Sequence, residues 1–229
     1  DRTRGGAYLA VGIAGVAIFG VFLFLTLYLQ EVAGYSPIKN GVAFLPLTAL
    51  IVLSSTSANI ILLPRLGARI LIILGMTLGG IGLLLLVRLP VHSSYATDVL
   101  PSLLVLGFGM GLIFAPAFNN ATVGVAPHDS GVASAMVNTM QQVSGSIGTA
   151  LLSTIVGTAT RSYLSAHQPA TPLVRATAMV HGYHVIFVVA ALIFFSGAVI
   201  VGSLVRSKRD QERFAAASPA PPDLVGAAH

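Results

Sequence analysis

No cysteine occurs in the 229 residues, which removes disulfides, thiol catalysis and cysteine-based zinc sites together. Charge is nearly as scarce: 8% of residues are Asp, Glu, Lys or Arg, against about 25% in a soluble domain. No acid falls in the middle of an apolar run; Glu31 and Asp98 stand at run ends and Asp129 lies in a loop. His92, His128, His167, His181 and His184 fall in predicted loops or at helix ends, and no HExxH or other metal-ligating spacing exists. Neither a metal nor a cofactor is expected. The Gly-x-Gly-x-Gly at 107–111 sits inside an apolar run with no strand before it, so it is not a dinucleotide fingerprint. Ser130 and Ser144 each precede a glycine, but neither has the glycine two places earlier that an intramembrane serine nucleophile needs. The chain is read as a non-enzyme.

What remains is apolar. Hydrophobic residues make up 55% of the chain and mean hydropathy is +0.88, which places it among integral membrane proteins. A helix needs about 20 apolar residues to cross a bilayer, and six predicted helices qualify, at about 6–29, 40–62, 70–88, 98–121, 131–157 and 183–205. The runs are continuous, without the alternation of a membrane barrel, so the fold class is all-α and membrane-embedded. Net charge is +5, but the cations are scattered at the ends of apolar runs, so they read as topology signals and not as a nucleic-acid footprint. Placing Arg2, Arg4, Arg65, Arg69, Arg206, Lys208, Arg209 and Arg213 inside leaves Lys39, Arg88, Arg161 and Arg175 outside. This predicts both termini in the cytoplasm. The tail 206–229, rich in Ala and Pro, reads as cytoplasmic and disordered. The first residue is Asp1 and no signal-peptide pattern opens the chain, which reads as a piece of something longer.

An internal repeat is visible at a shift of 90 residues. It lays Gly34, Pro37, Gly41, Val42 and Ala43 on Gly124, Pro127, Gly131, Val132 and Ala133, and Phe24 on Phe114. Equivalent units separated by three spans point in opposite directions, so the expected architecture is an inverted 3+3 repeat.

Polar residues concentrate at 107–148. Asn138, Gln141, Gly145 and Gly148 follow at spacings of three, four and three, which predicts one face of the fifth helix, with Gln142 beside it. Asn119 and Asn120 lie near the end of the fourth helix, with Pro116 above them to kink it. Lipid cannot satisfy amides, so they face either a solvated cavity or another helix; both readings stand. Phe22 is grouped with them as a cavity residue. Pro46, Pro116, Gly145 and Gly148 are candidates for kinks or gating, and Arg65 and Arg69 flank a tight basic turn. The third helix carries Gly75-x-x-x-Gly79, a small-residue packing pattern.

LQEVAGYSPIKNGVAFLP at 29–46, PRLGAR at 64–69, GFGMGLIFAPAFNNATVGVAP at 107–127 and SGVASAMVNTMQQVSGSIGTAL at 130–151 together resemble the fourteen-helix drug/proton antiporters of the major facilitator superfamily, of the EmrB/QacA type. The resemblance covers about 1–206. It implies the C-terminal six-helix half of a secondary transporter that exports amphipathic small molecules by alternating access against an N-terminal half. The first, second, fourth and fifth helices of such a half line its cavity, which places Asn138 and Gln142 there by position. The partners implied are the lipid bilayer, a small-molecule substrate and the missing N-terminal half, with no nucleic acid. The acids usually credited with proton coupling lie largely in that other half. The competing reading is a non-transporting membrane module or a self-assembling six-helix scaffold.

Overall fold

The computed structural model describes residues 2–122 and 130–205, and these contain helices and turns with no strand. The seven α-helices are α1 (Arg2–Leu27), α2 (Pro37–Ala43), α3 (Leu45–Ser57), α4 (Leu63–Leu86), α5 (Leu100–Thr122), α6 (Ser130–Ala166) and α7 (Pro172–Leu204). Wider π-type turns extend α1 through Tyr28–Val32 and α3 through Ala58–Leu62, and Tyr95–Val99 leads into α5. The helices begin where side chains can cap them. Ser36 accepts from the Lys39 backbone N–H at 3.3 Å ahead of Pro37, and Thr171 accepts from that of Val174 at 3.3 Å ahead of Pro172.

Two helices run further than predicted. α6 continues past 157 to Ala166, and α7 starts at Pro172 and not at 183. The extensions carry Thr, Ser and Arg, which blunt the apolar signal but do not break a helix. Thr154 and Thr158 donate to the carbonyls of Ala150 and Thr154 at 3.1 and 2.9 Å, so the helix satisfies its own hydroxyls.

Five stretches are long and apolar enough to cross a membrane: Gly5–Val32, Pro37–Leu86, Tyr95–Asn119, Ser134–Ala166 and Pro172–Leu204. The second, at 50 residues, is far longer than one crossing needs. Neighbours resolve it. Along α5, Gly107 meets Leu47 and Gly111 meets Ile51 and Ser55, so α3 and α5 run parallel. Gly82 meets Leu106 and Gly75 meets Gly109 and Ile113, so α4 runs against α5, and therefore against α3. The chain thus reverses near the start of α4, whose range is broken by non-helical backbone. It does so at Gly67, whose φ of 77° is open to glycine and strained for other residues. Arg65 is exposed and Arg69 half-buried on either side of this turn.

Counting the broken stretch as two, the described residues form six rods of alternating direction. α1 packs against α6, α7 and α5; α4 packs against α5 and α7; α3 packs against α5; and α6 packs against α7. Phe24, Leu25, Tyr28, Ile72, Met76, Leu83, Phe187 and Phe194 fill the main core between α1, α4 and α7. Small residues let the rods close. A Cβ on Gly109 would lie 2.7 Å from the Gly75 oxygen, and one on Gly107 would lie 2.6 Å from the Leu47 oxygen. The 107–111 glycine series is therefore a packing device: Gly107 and Gly111 admit α3, and Gly109, on the other side of the helix, admits α4. At the far end of the bundle, Tyr28 Oη donates to the Pro90 oxygen at 2.6 Å and His184 Nε2 lies 2.8 Å from the Leu89 oxygen.

The tail 206–229 and the second copy of the repeat's loop, 124–129, lie outside the described residues.

Candidate functional site

Side by side at Gly107 and Gly111, α3 and α5 are held by the buried Ser54. Its hydroxyl donates to the Leu50 oxygen at 2.6 Å and lies 3.5 Å from the Gly107 oxygen. Beyond this contact, toward the end where α3 gives way to its wide turn, a cleft of about 590 Å³ opens between the two rods. Its walls are Ser55, Asn59, Phe114, Ala115, Phe118 and Asn119. Phe114 and Phe118, one turn apart on α5, present tilted rings with centroids 6.3 Å apart. Two amides, a hydroxyl and two aromatic rings meet here without an ionisable side chain among the lining residues. Such a wall makes neutral hydrogen bonds and stacks against flat apolar surface.

The second polar surface is on α6. Its most apolar window is only 17% buried, against 50% or more for the other four membrane-length stretches. The uncovered side carries the exposed Asn138, Thr139, Gln142, Ser146 and Thr154 interleaved with the exposed Val132, Met136, Val143, Ile147 and Leu151. The sequence grouped Asn138, Gln141, Gly145 and Gly148 on one face, and the structure divides that group. Gly145 and Gly148 are buried against Phe19 and Val16 of α1, and a Cβ on Gly15 of α1 would lie 2.6 Å from the Gln141 backbone oxygen. Asn138 and Gln142 lie outside that contact. The glycines thus seat α6 on α1, and the amides mark the edge that the seat leaves open.

The remaining candidates are dispersed. Asn119 belongs to the cleft between α3 and α5, and the side chain of Asn120 lies outside the described set. Pro116 is buried within α5. Phe22, at 39% exposure, stacks on the buried Phe44 with centroids 4.7 Å apart, joining α1 to the start of α3. Beside this pair, Asn40 Nδ2 donates to Thr26 Oγ1 at 3.2 Å, while its Oδ1 is buried without a partner. Pro46 lies at the other end of the rods from the larger cleft, lining a smaller one of about 300 Å³. Ser55 and Asn59 were passed over as site residues. Their signal was present in the small, polar stretch 54–59, but only the parallel contact of α3 with α5 shows what it faces. Among the described residues no cluster of His, Asp or Glu is arranged to hold a metal ion.

Residues 3–149 match the family model for the Major Facilitator Superfamily. The chain is similar to the puromycin resistance protein pur8 of Streptomyces alboniger, with 40% identity over 226 residues, covering 96% of this chain and 45% of that protein. It is 33% identical over 156 residues to the cephamycin export protein CmcT of Amycolatopsis lactamdurans, covering 68% of this chain and 32% of that one. It is 34% identical over 153 residues to a lincomycin resistance protein of Streptomyces lincolnensis, covering 66% of this chain and 31% of that one. The chain thus spans less than half the length of these relatives. The helical architecture, the membrane-length apolar rods and these matches together mean that the chain belongs to the Major Facilitator Superfamily of membrane transporters.

Proposed function

We propose that the chain is the C-terminal half of a proton-coupled exporter of amphipathic small molecules, of the EmrB/QacA type. It crosses the cell membrane six times with both termini in the cytoplasm and works by alternating access against an N-terminal half. The observation that carries the substrate class is the cleft of Ser55, Asn59, Phe114, Phe118 and Asn119, which offers amides and rings and no charged side chain among its described lining residues. Relatives named for resistance to puromycin and lincomycin and for export of cephamycin support drug export.

The neighbour pattern supports an inverted repeat. Exchanging α1, α3 and α4 with α5, α6 and α7 carries the α1–α6 contact onto α5–α3 and α4–α5 onto α7–α1, and leaves α1–α5 and α4–α7 unchanged. The uncovered amides of α6 support a second wall facing protein or water, since hydrocarbon cannot satisfy them. No acid stands mid-span in this chain, so the coupling carboxylate is assigned to the other half.

The test is dye and antibiotic efflux from cells carrying the full-length gene product. Asn59→Ala, Asn138→Ala and Gln142→Ala should each cut efflux at least several-fold at unchanged membrane expression, and collapse of the proton gradient should abolish it. Normal efflux by all three variants would reduce these residues to packing elements. A self-assembling scaffold is the competing reading, because the uncovered face of α6 would also suit a second copy. An in-frame stretch encoding further membrane helices upstream of Asp1 decides for the transporter.

A further inference from the structure

The geometry of the cleft between α3 and α5 is more specific than its lack of charge. Leu47 lies against Gly107 and Ile51 against Gly111. Carried about two turns further, that parallel register sets Ser55 against Ala115 and Asn59 against Asn119. Two exposed carboxamides therefore meet across the opening. Asn59 stands in the wide turn Ala58–Leu62, a kind of backbone that recurs at functional sites. Only the α5 wall is aromatic. The planes of Phe114 and Phe118 are inclined at 58° with centroids 6.3 Å apart, so they form a corner and not a slot. A flat guest lies face-on to one ring and edge-on to the other. Arg65 and Arg69 follow on the reversal at Gly67, and neither lines the cleft. Its volume of about 590 Å³ is that of a small-molecule site.

A carboxamide offers a donor and an acceptor side by side, and it pairs twice with an edge that offers the same two groups in reverse. We propose that the cleft selects neutral, planar heteroaromatic ligands with such an edge, lactams and amino-heterocycles, over cations of the same shape. Asn59 and Asn119 read the edge, and Phe114 and Phe118 take the face of the ring. A quaternary cation of equal size gains attraction from the rings but leaves both amides without partners, which is the larger loss once water is excluded. The inference rests on the export reading, in which α3 and α5 are among the rods turned toward the other half. That half closes the open side of the cleft.

The test uses the full-length gene product in nanodiscs and three probes of similar size: quinolin-2-one, its N-methyl derivative and N-methylquinolinium. Competition titrations followed by saturation-transfer NMR rank their affinities without requiring transport. Quinolin-2-one should bind tightest. N-methylation deletes the donor and should weaken binding about tenfold, the scale of one net hydrogen bond. Asn59→Leu and Asn119→Leu should each narrow that difference, and the double variant should abolish it. Phe118→Leu should weaken both neutral probes by the same factor and leave their ratio unchanged. The ranking on the unaltered protein decides even where a variant fails to fold. The proposal is overturned if the N-methyl derivative binds as well as quinolin-2-one, if the quinolinium binds tightest, or if the double variant keeps the preference. Failure of the export reading looks different: the lactam would bind with the expected ranking while cells showed no gradient-dependent efflux of it.

Discussion

Gly109→Ala measures how far the bundle depends on backbone-to-backbone contact between α4 and α5. The added Cβ would lie 2.7 Å from both the Gly75 oxygen and the Gly79 nitrogen, where an ordinary contact begins at 3.4 Å. Both atoms are backbone and cannot rotate aside, so the rods must part by about 0.7 Å, the difference between the two distances. A gap of that size forfeits a quarter to a half of the dispersion well for the contacts around it. Overpacking against a rigid neighbour costs about 3 kcal/mol, and the better helix propensity of alanine returns about 1 kcal/mol. The net is a loss of about 2 kcal/mol, which lowers the unfolding midpoint. Gly41→Ala is the internal control. Nothing lies within 4 Å of its Cβ, so only the propensity gain remains and the midpoint should hold or rise. Both variants of the full-length gene product are heated in detergent, and the surviving monodisperse fraction is followed by size exclusion. Equal midpoints for Gly109→Ala and Gly41→Ala would refute close approach of the two backbones.

Thr26→Val removes the acceptor of the Asn40 Nδ2 hydrogen bond, in a buried amide whose Oδ1 has no partner among the described residues, and should cost about 1–3 kcal/mol. Adding Asn40→Leu should recover most of that loss, and a double-mutant cycle that finds simple additivity would exclude the pair as a unit. Tyr95→Phe gives up the hydrogen bond to the Ala43 oxygen and should lower stability by about 0.5–1.5 kcal/mol, read from the same heating assay. Phe22→Ala breaks the stack on Phe44 and should cost about 0.5–1.5 kcal/mol beyond the area lost, with the effect absent in a Phe44→Ala background.

How much of this was legible in the sequence depends on the kind of signal. Hydropathy located the membrane-length apolar stretches, because bilayer thickness sets a length that composition alone can meet. It placed the ends of α6 and α7 badly, because Thr, Ser and Arg at the termini of a long helix look like loop when each residue is scored alone. The Gly67 reversal could be inferred from PRLGAR and its flanking cations, and the positive φ there is the backbone reason. The repeat is legible at 34–43 and 124–133 in the sequence alone, and most of its second copy lies outside the described residues.

The amides show the limit most clearly. A helical wheel puts Asn138 and Gln141 on one face with Gly145 and Gly148. Glycine, however, is small before it is polar, and in a membrane bundle small residues mark where the next backbone sits. The glycines of α6 therefore point at α1 and displace the amides to the rim of that contact. On α5 the same logic works in reverse. Gly107 and Gly111 draw α3 alongside in parallel, and this carries Asn59 and Ser55 opposite Phe114 and Asn119 one to two turns further on. The cleft thus follows from the glycine spacing on one helix and the polar stretch on another. Each is modest by itself, and only the rod-to-rod register between α3 and α5 turns the two into one site.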